Sequence, residues 1–211
     1  MKQINNTQTK DFIAEAIRNE ILAGRLEAGE ELTQEVLAET LGVSRMPVRE
    51  ALQTLVQEGF VERLPNRHMQ VVALNYKQLK ETFRLIGVLE SQIVELLLEN
   101  EYDIGELDGL ITAIKDEKIA SRQIQMELEF HFLLTKLLDN KYLEQMHGKL
   151  IRGYISYAIE NIGEPKVKAD LLETIQKVIR HKDVDGLKSA FQKYYGYYAE
   201  QFKGLTGGIN E

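Results

Sequence analysis

The chain has no cysteine and no tryptophan, only three prolines among 211 residues, and no apolar run near the roughly 18 residues that span a bilayer. Zero cysteine excludes a disulfide scaffold, a Cys-ligated zinc finger and a cysteine nucleophile, and agrees with a reducing compartment. The polar opening MKQINNTQTKDF carries no apolar stretch of the secretory-signal kind, so a cytoplasmic, non-membrane protein is expected. Basic residues are also in deficit. With 26 Lys+Arg against 33 Asp+Glu the net charge is −7, which argues against wholesale electrostatic binding to nucleic acid or membrane. What remains is an ordinary globular composition, 44% hydrophobic and 28% charged, long enough for about one or two domains.

With only Pro47, Pro65 and Pro165 to interrupt them, most segments are free to be helical. Phe12, Ile13, Ile17, Ile21 and Leu22 recur at helical spacing up to Gly24. A second helix is expected from about Thr33, with Val36, Leu37 and Leu41 on its apolar face. A third opens at Ser44 and buries Val48, Ala51, Leu52, Leu55 and Val56 before Gly59. The period then changes. Residues 60–64 and 69–73 read as two strands around Pro65-Asn66-Arg67-His68, a small hairpin. From Tyr76 the pattern is helical almost throughout, with expected helices from 76, then 104–119, 123–138, 141–162, 167–181 and 184–203. The fold class is therefore mainly α: an N-terminal domain over 1–74 and an antiparallel bundle of about six helices over 75–211.

A helix, a turn at Gly42-Val43 and a helix opening Ser44-Arg45-Met46-Pro47-Val48-Arg49 is a helix-turn-helix pattern, and the hairpin behind it supplies a wing. Such a helix enters the major groove by its N-terminal end. Arg45 and Arg49 share a face and have the chemistry to bridge guanine O6 and N7, while Ser44 can cap the helix or donate to a phosphate. Arg67-His68 at the wing tip can reach the adjacent minor groove. Even so, residues 1–74 hold eight Lys+Arg and eleven Asp+Glu. Few phosphate contacts are available per protomer, so useful affinity calls for a dimer.

Ala23-Gly24-Arg25-Leu26, Leu37-Ala38, Leu41 to Leu52 and Pro65-Asn66-Arg67 resemble the GntR family of bacterial transcription regulators. The helical remainder resembles the FadR-type (FCD) effector domain. The resemblance implies a homodimeric winged helix-turn-helix repressor or activator, with a repressor the expected form, on a short palindromic double-stranded operator, modulated by a small-molecule effector and without enzyme activity. It places Arg25, Ser44, Arg45, Met46, Pro47, Arg49, Asn66, Arg67 and His68 on the DNA side. Two departures stand out: Glu35 where the family often has arginine, and His68 where it usually has glycine.

In the helical part, Glu127 and His131 lie four apart, so a helix puts a carboxylate and an imidazole on one face. His131 has three readings: a buried histidine bonded to a neighbour such as Glu127, an effector contact, or a metal ligand. Many relatives bind a divalent metal through such a pair plus a histidine from each of the last two helices. The resemblance carries those histidine positions onto Leu172 and Tyr194, which are not plausible ligands, so no metal or other cofactor is expected. A family arginine in the first effector-domain helix falls on Ile86, with Arg84 close by. Arg84, Glu127, His131, Arg152, Tyr157, Leu172 and Tyr194 are the candidate pocket residues. Tyr194, Tyr195, Tyr197 and Tyr198 cover several faces of the last helix, some to line a cavity and others to pack. Two other readings stay open: a regulator that no longer senses small molecules, and a helical-bundle metalloenzyme supported only by Glu127/His131.

Overall fold

A computed structural model describes residues 6–66, 68–73 and 75–205, with side chains described for 9–66, 68–73 and 75–202. The chain divides into two compact units, Met1–Leu74 and Asn75–Glu211.

The first unit contains α1 (Asn6–Leu22), β1 (Glu31–Leu32), α2 (Gln34–Leu41), α3 (Arg45–Glu58), β2 (Val61–Arg63) and β3 (Met69–Val71). Packing of α1 on α3 forms its core, where Ile13, Ala14 and Ile17 meet a row from Val48 to Leu55 that is almost wholly excluded from solvent. Arg18 closes one edge. Its guanidinium donates to Glu58 at 2.6 Å and lies over the Phe60 ring at 5.7 Å. The expected hairpin is part of a three-stranded antiparallel sheet, ordered β1-β3-β2, in which Leu32 pairs with Met69 and Val61 with Val71. Strand β1 escapes the sequence pattern because two residues are too short to show a period of two. In α2 only Ala38 is buried, and Val36 is 60% exposed, so the expected apolar face of that helix is only partly used.

The second unit is helical: α4 (Tyr76–Glu99), α5 (Gly105–Asp116), α6 (Ala120–Leu137), α7 (Lys141–Leu150), α8 (Ser156–Asn161), α9 (Pro165–Arg180) and α10 (Val184–Leu205), with a kinked segment Ile151–Ile155 between α7 and α8. The expected single helix over 141–162 is thus broken at Arg152 (ψ 35°) and Gly153 (φ −138°, ψ −115°). Asn75 caps α4 by accepting the Gln78 N–H at 3.2 Å, and Pro165 opens α9 where no ladder bond is lost. Helices α4 and α10 form the spine and come close at Gly87, where a Cβ would sit 3.1 Å from the Tyr195 ring. Among the described residues no helix is long and apolar enough to cross a membrane.

Candidate DNA-reading surface and effector core

Gly42 ends α2 in the left-handed region (φ 64°), which lets the chain reverse directly into α3. Along the start of α3, Ser44, Arg45, Met46 and Arg49 are exposed while Pro47 and Val48 are buried. Pro47 therefore faces the core and sets the first turn, a correction to its placement among DNA contacts. Ser44 occupies the N-cap position with an extended backbone, as expected, but its side chain makes no capping bond. Met46, 54% exposed, is an apolar side chain of the kind that packs on a thymine methyl.

Three other predicted contacts are already engaged within the unit. Arg45 is ion-paired with Glu35, both side chains more than half exposed. Arg25 makes a two-pronged pair with Glu20, at 2.6 and 2.8 Å, away from α3 in sequence. The His68 imidazole lies 2.6 Å from Glu31, and its backbone N–H donates to Asn66 at 3.1 Å. His68 is thus held against β1, a contact that the sequence pattern does not show. Arg67 lies outside the described residues.

The helical unit holds a buried polar cluster. Glu90 of α4 is fully buried, and both its oxygens accept from His131 Nδ1 at 3.0 Å. Nε2 of His147 donates to the same carboxylate at 2.8 Å. Burial pushes the Glu90 carboxyl up, but the charge and hydrogen bonds of His131 and His147 outweigh it and hold it down at about 2. On its other side His131 Nε2 meets the Tyr194 hydroxyl at 2.8 Å, and that hydroxyl donates to Glu127 at 2.7 Å. Tyr198 donates to the same Glu127 oxygen at 2.5 Å. The ammonium of Lys168, 5% exposed, lies 3.5 Å from the other Glu127 oxygen and donates to the Ile159 carbonyl at 2.6 Å. Burial first, and then the nearby carboxylates, push Tyr194, Tyr195 and Tyr198 well above the usual phenol range, so all three stay neutral donors.

Of the predicted pocket residues, the structure joins Glu127, His131 and Tyr194. Leu172 is buried and apolar, and Tyr157 packs on Phe202 with ring centres 5.9 Å apart. Arg84 is exposed on α4, and Arg152 is exposed with its guanidinium 5.6 Å above the Phe132 ring, so neither belongs to the cluster. His131 is bonded to Glu90 and reaches Glu127 only through Tyr194. His147, not among the predicted pocket residues, is a full member. Glu90 and Lys168 were missed, although each occupies an apolar register: Ile86-Glu90-Val94 on α4 and Lys168-Leu172-Ile175 on α9. A charge at a stripe position was the available signal.

These ligands do not fit the divalent metal the resemblance implies. Among the described residues no three His, Cys, Asp or Glu side chains gather to hold an ion. Where Glu127 and His131 approach each other, the Tyr194 hydroxyl lies between them.

The family described as "Bacterial regulatory proteins, gntR family" matches residues 9–71, and the FCD domain matches residues 81–195. The gluconate operon transcriptional repressor of Bacillus subtilis is 26% identical over 155 residues, covering 71% of this chain and 63% of that protein. An Nta operon transcriptional regulator of Aminobacter aminovorans is 34% identical over 119 residues, 54% of this chain and 57% of that one. The chain thus aligns with a little under two thirds of the length of the curated relatives it matches first, 61% and 63%. The solved structure of Escherichia coli McbR/YncC superposes with a TM-score of 0.64 at 23% identity, covering 96% of this chain and 99% of that one, a likeness of fold. With the FCD domain matching more than half of its length behind a GntR domain, the chain belongs to the GntR family of bacterial regulators, in the branch with an FCD domain.

Proposed function

We propose that this protein is a cytoplasmic transcriptional regulator, in its simplest form a repressor, that binds a palindromic operator as a homodimer and is not an enzyme. The carrying observation is the exposed row Ser44, Arg45, Met46 and Arg49 at the start of a helix that follows a left-handed glycine turn. That row presents two guanidinium groups to the major groove. Residues 1–74 are acidic overall, so affinity rests on a few local contacts repeated by two-fold symmetry. Leu85, 68% exposed on α4, supports pairing of two helical units. Selection from a pool of randomised duplexes, followed by binding measurements at several salt concentrations, tests this reading. A two-fold symmetric site should emerge. Arg49→Ala should weaken binding to it by about 1–3 kcal/mol and leave the helical circular dichroism unchanged. Unaltered specific binding by that variant would remove α3 as the reading element.

Glu35 adds a second expectation. Its carboxylate holds Arg45 at the DNA face and repels phosphate. Glu35→Gln should therefore raise affinity for random-sequence duplex and reduce the preference for the selected site. An unchanged ratio of specific to non-specific binding would show that the pair does not constrain Arg45.

A small-molecule effector bound in the helical unit would act by favouring one arrangement of that unit. The filling of its core by Leu172, Tyr194 and Glu90 favours a second reading, regulation without a small-molecule signal. Thermal shifts with a panel of metabolites separate the two: a raised midpoint supports sensing, and none across the panel supports the second.

A further inference from the structure

We propose that the Tyr194 hydroxyl and the Lys168 ammonium do in this helical unit what a divalent cation does in metal-binding relatives, tying Glu127 to His131 and neutralising the buried carboxylate. Two observations carry this. The Tyr194 oxygen is 2.7 Å from Glu127 Oε1 and 2.8 Å from His131 Nε2. A metal bound to both atoms would sit about 2.0–2.2 Å from each, in space that the hydroxyl fills. Second, Glu127 Oε2 is buried and has no hydrogen-bond partner. Its compensation is the charge of Lys168 at 3.5 Å. Lys168 is itself fixed by the Ile159 carbonyl and lies over the Tyr198 ring at 5.8 Å. The positive charge is therefore tethered, and a dication beside it would be repelled.

Tyr194 has one hydroxyl proton and donates it to Glu127, so its oxygen accepts from Nε2–H of His131. On the other side of the ring, Nδ1 lies 3.0 Å from the Glu90 carboxylate and 3.2 Å from the Tyr195 hydroxyl. The buried Glu127 carboxylate is thus met by two phenol donors, Tyr194 and Tyr198, and by the tethered ammonium of Lys168.

The test uses the full-length chain, melted while following the tyrosine signal. All nine tyrosines lie at or after Tyr76 and there is no tryptophan, so that signal reports the helical unit alone. For the wild type, the midpoint should be the same in EDTA and in added zinc, nickel or manganese chloride, with no stoichiometric metal after dialysis. One retained divalent ion per chain, lost in Glu127→Gln, would overturn the proposal. Lys168→Met should lower the midpoint, and adding Glu127→Gln should recover part of the loss. A further drop in that double variant would deny that Lys168 balances Glu127. Finally, Leu172→His with Tyr194→His should convert the site, giving a midpoint that rises by several degrees with zinc or nickel. A folded double variant indifferent to both metals would count against the placement of Tyr194 at a metal position. The wild-type and Lys168 measurements do not depend on that variant folding.

Discussion

Replacing Glu90 with leucine should cost the helical unit about 3–5 kcal/mol, the range for breaking a buried ion pair from one side. The substitution is close in volume, so lost packing is a minor part of the effect. What it removes is the acceptor shared by two histidines that water does not reach. His131 keeps its bond to Tyr194, but His147 is left with Thr135 at 3.4 Å, a long and weak contact. Glu90→Gln keeps one acceptor oxygen and a near-identical shape, so it should cost less than the leucine variant. Urea unfolding followed by near-ultraviolet tyrosine circular dichroism measures both, because the N-terminal unit contains no tyrosine. Variants within about 0.5 kcal/mol of the wild type, the scale of ordinary surface changes, would mean that the cluster does not hold the bundle together.

The local order of the first unit was legible because its signals are short-range. Gly42 and Gly59 ended helices in left-handed geometry, and the apolar period of α3 matched its buried face. The ion pairs Arg45–Glu35 and His68–Glu31 were not legible. Each joins residues brought together by folding, the second across 37 positions and through a strand too short to detect. The helical unit follows the same division. The spacing of Glu127 and His131 correctly put two members on one face, yet the other members of the cluster come from α4, α7, α9 and α10. Periodicity assigns residues to the interior but does not say which interior residues meet. Glu90 shows the cost of reading the stripe only for apolar residues. It lies in register with Ile86 and Val94, and a carboxylate there needs partners because an unpaired buried charge is expensive. The break at Arg152-Gly153 was hidden for the opposite reason. Residues around it keep a helical pattern, and the kink lies only in the backbone angles of Arg152 and Gly153.

Glu90 also sets an expected acid response. Its carboxyl titrates at about 2 in the folded chain against 4.5 ordinarily. A depressed folded value means the stabilisation is complete above about pH 4.5 and is lost as the pH falls toward 2. At about 1.4 kcal/mol per pH unit, the full contribution is about 3 kcal/mol, with more than half of it gone by pH 3. Asp108 and Glu173 are also lowered, by hydrogen bonds from Arg180 and from Lys115 and Lys177 nearer the surface. Those pairs remain in a Glu90→Gln variant, so the difference between wild type and variant isolates the buried group. Urea midpoints of the two proteins should be far apart at pH 7 and converge as the pH is lowered from 4.5 to 3. Parallel curves across that window would transfer the acid sensitivity to the surface pairs. Convergence would place it in the carboxylate that ties α4 to α6 and α7, the first helix of the effector unit to its interior.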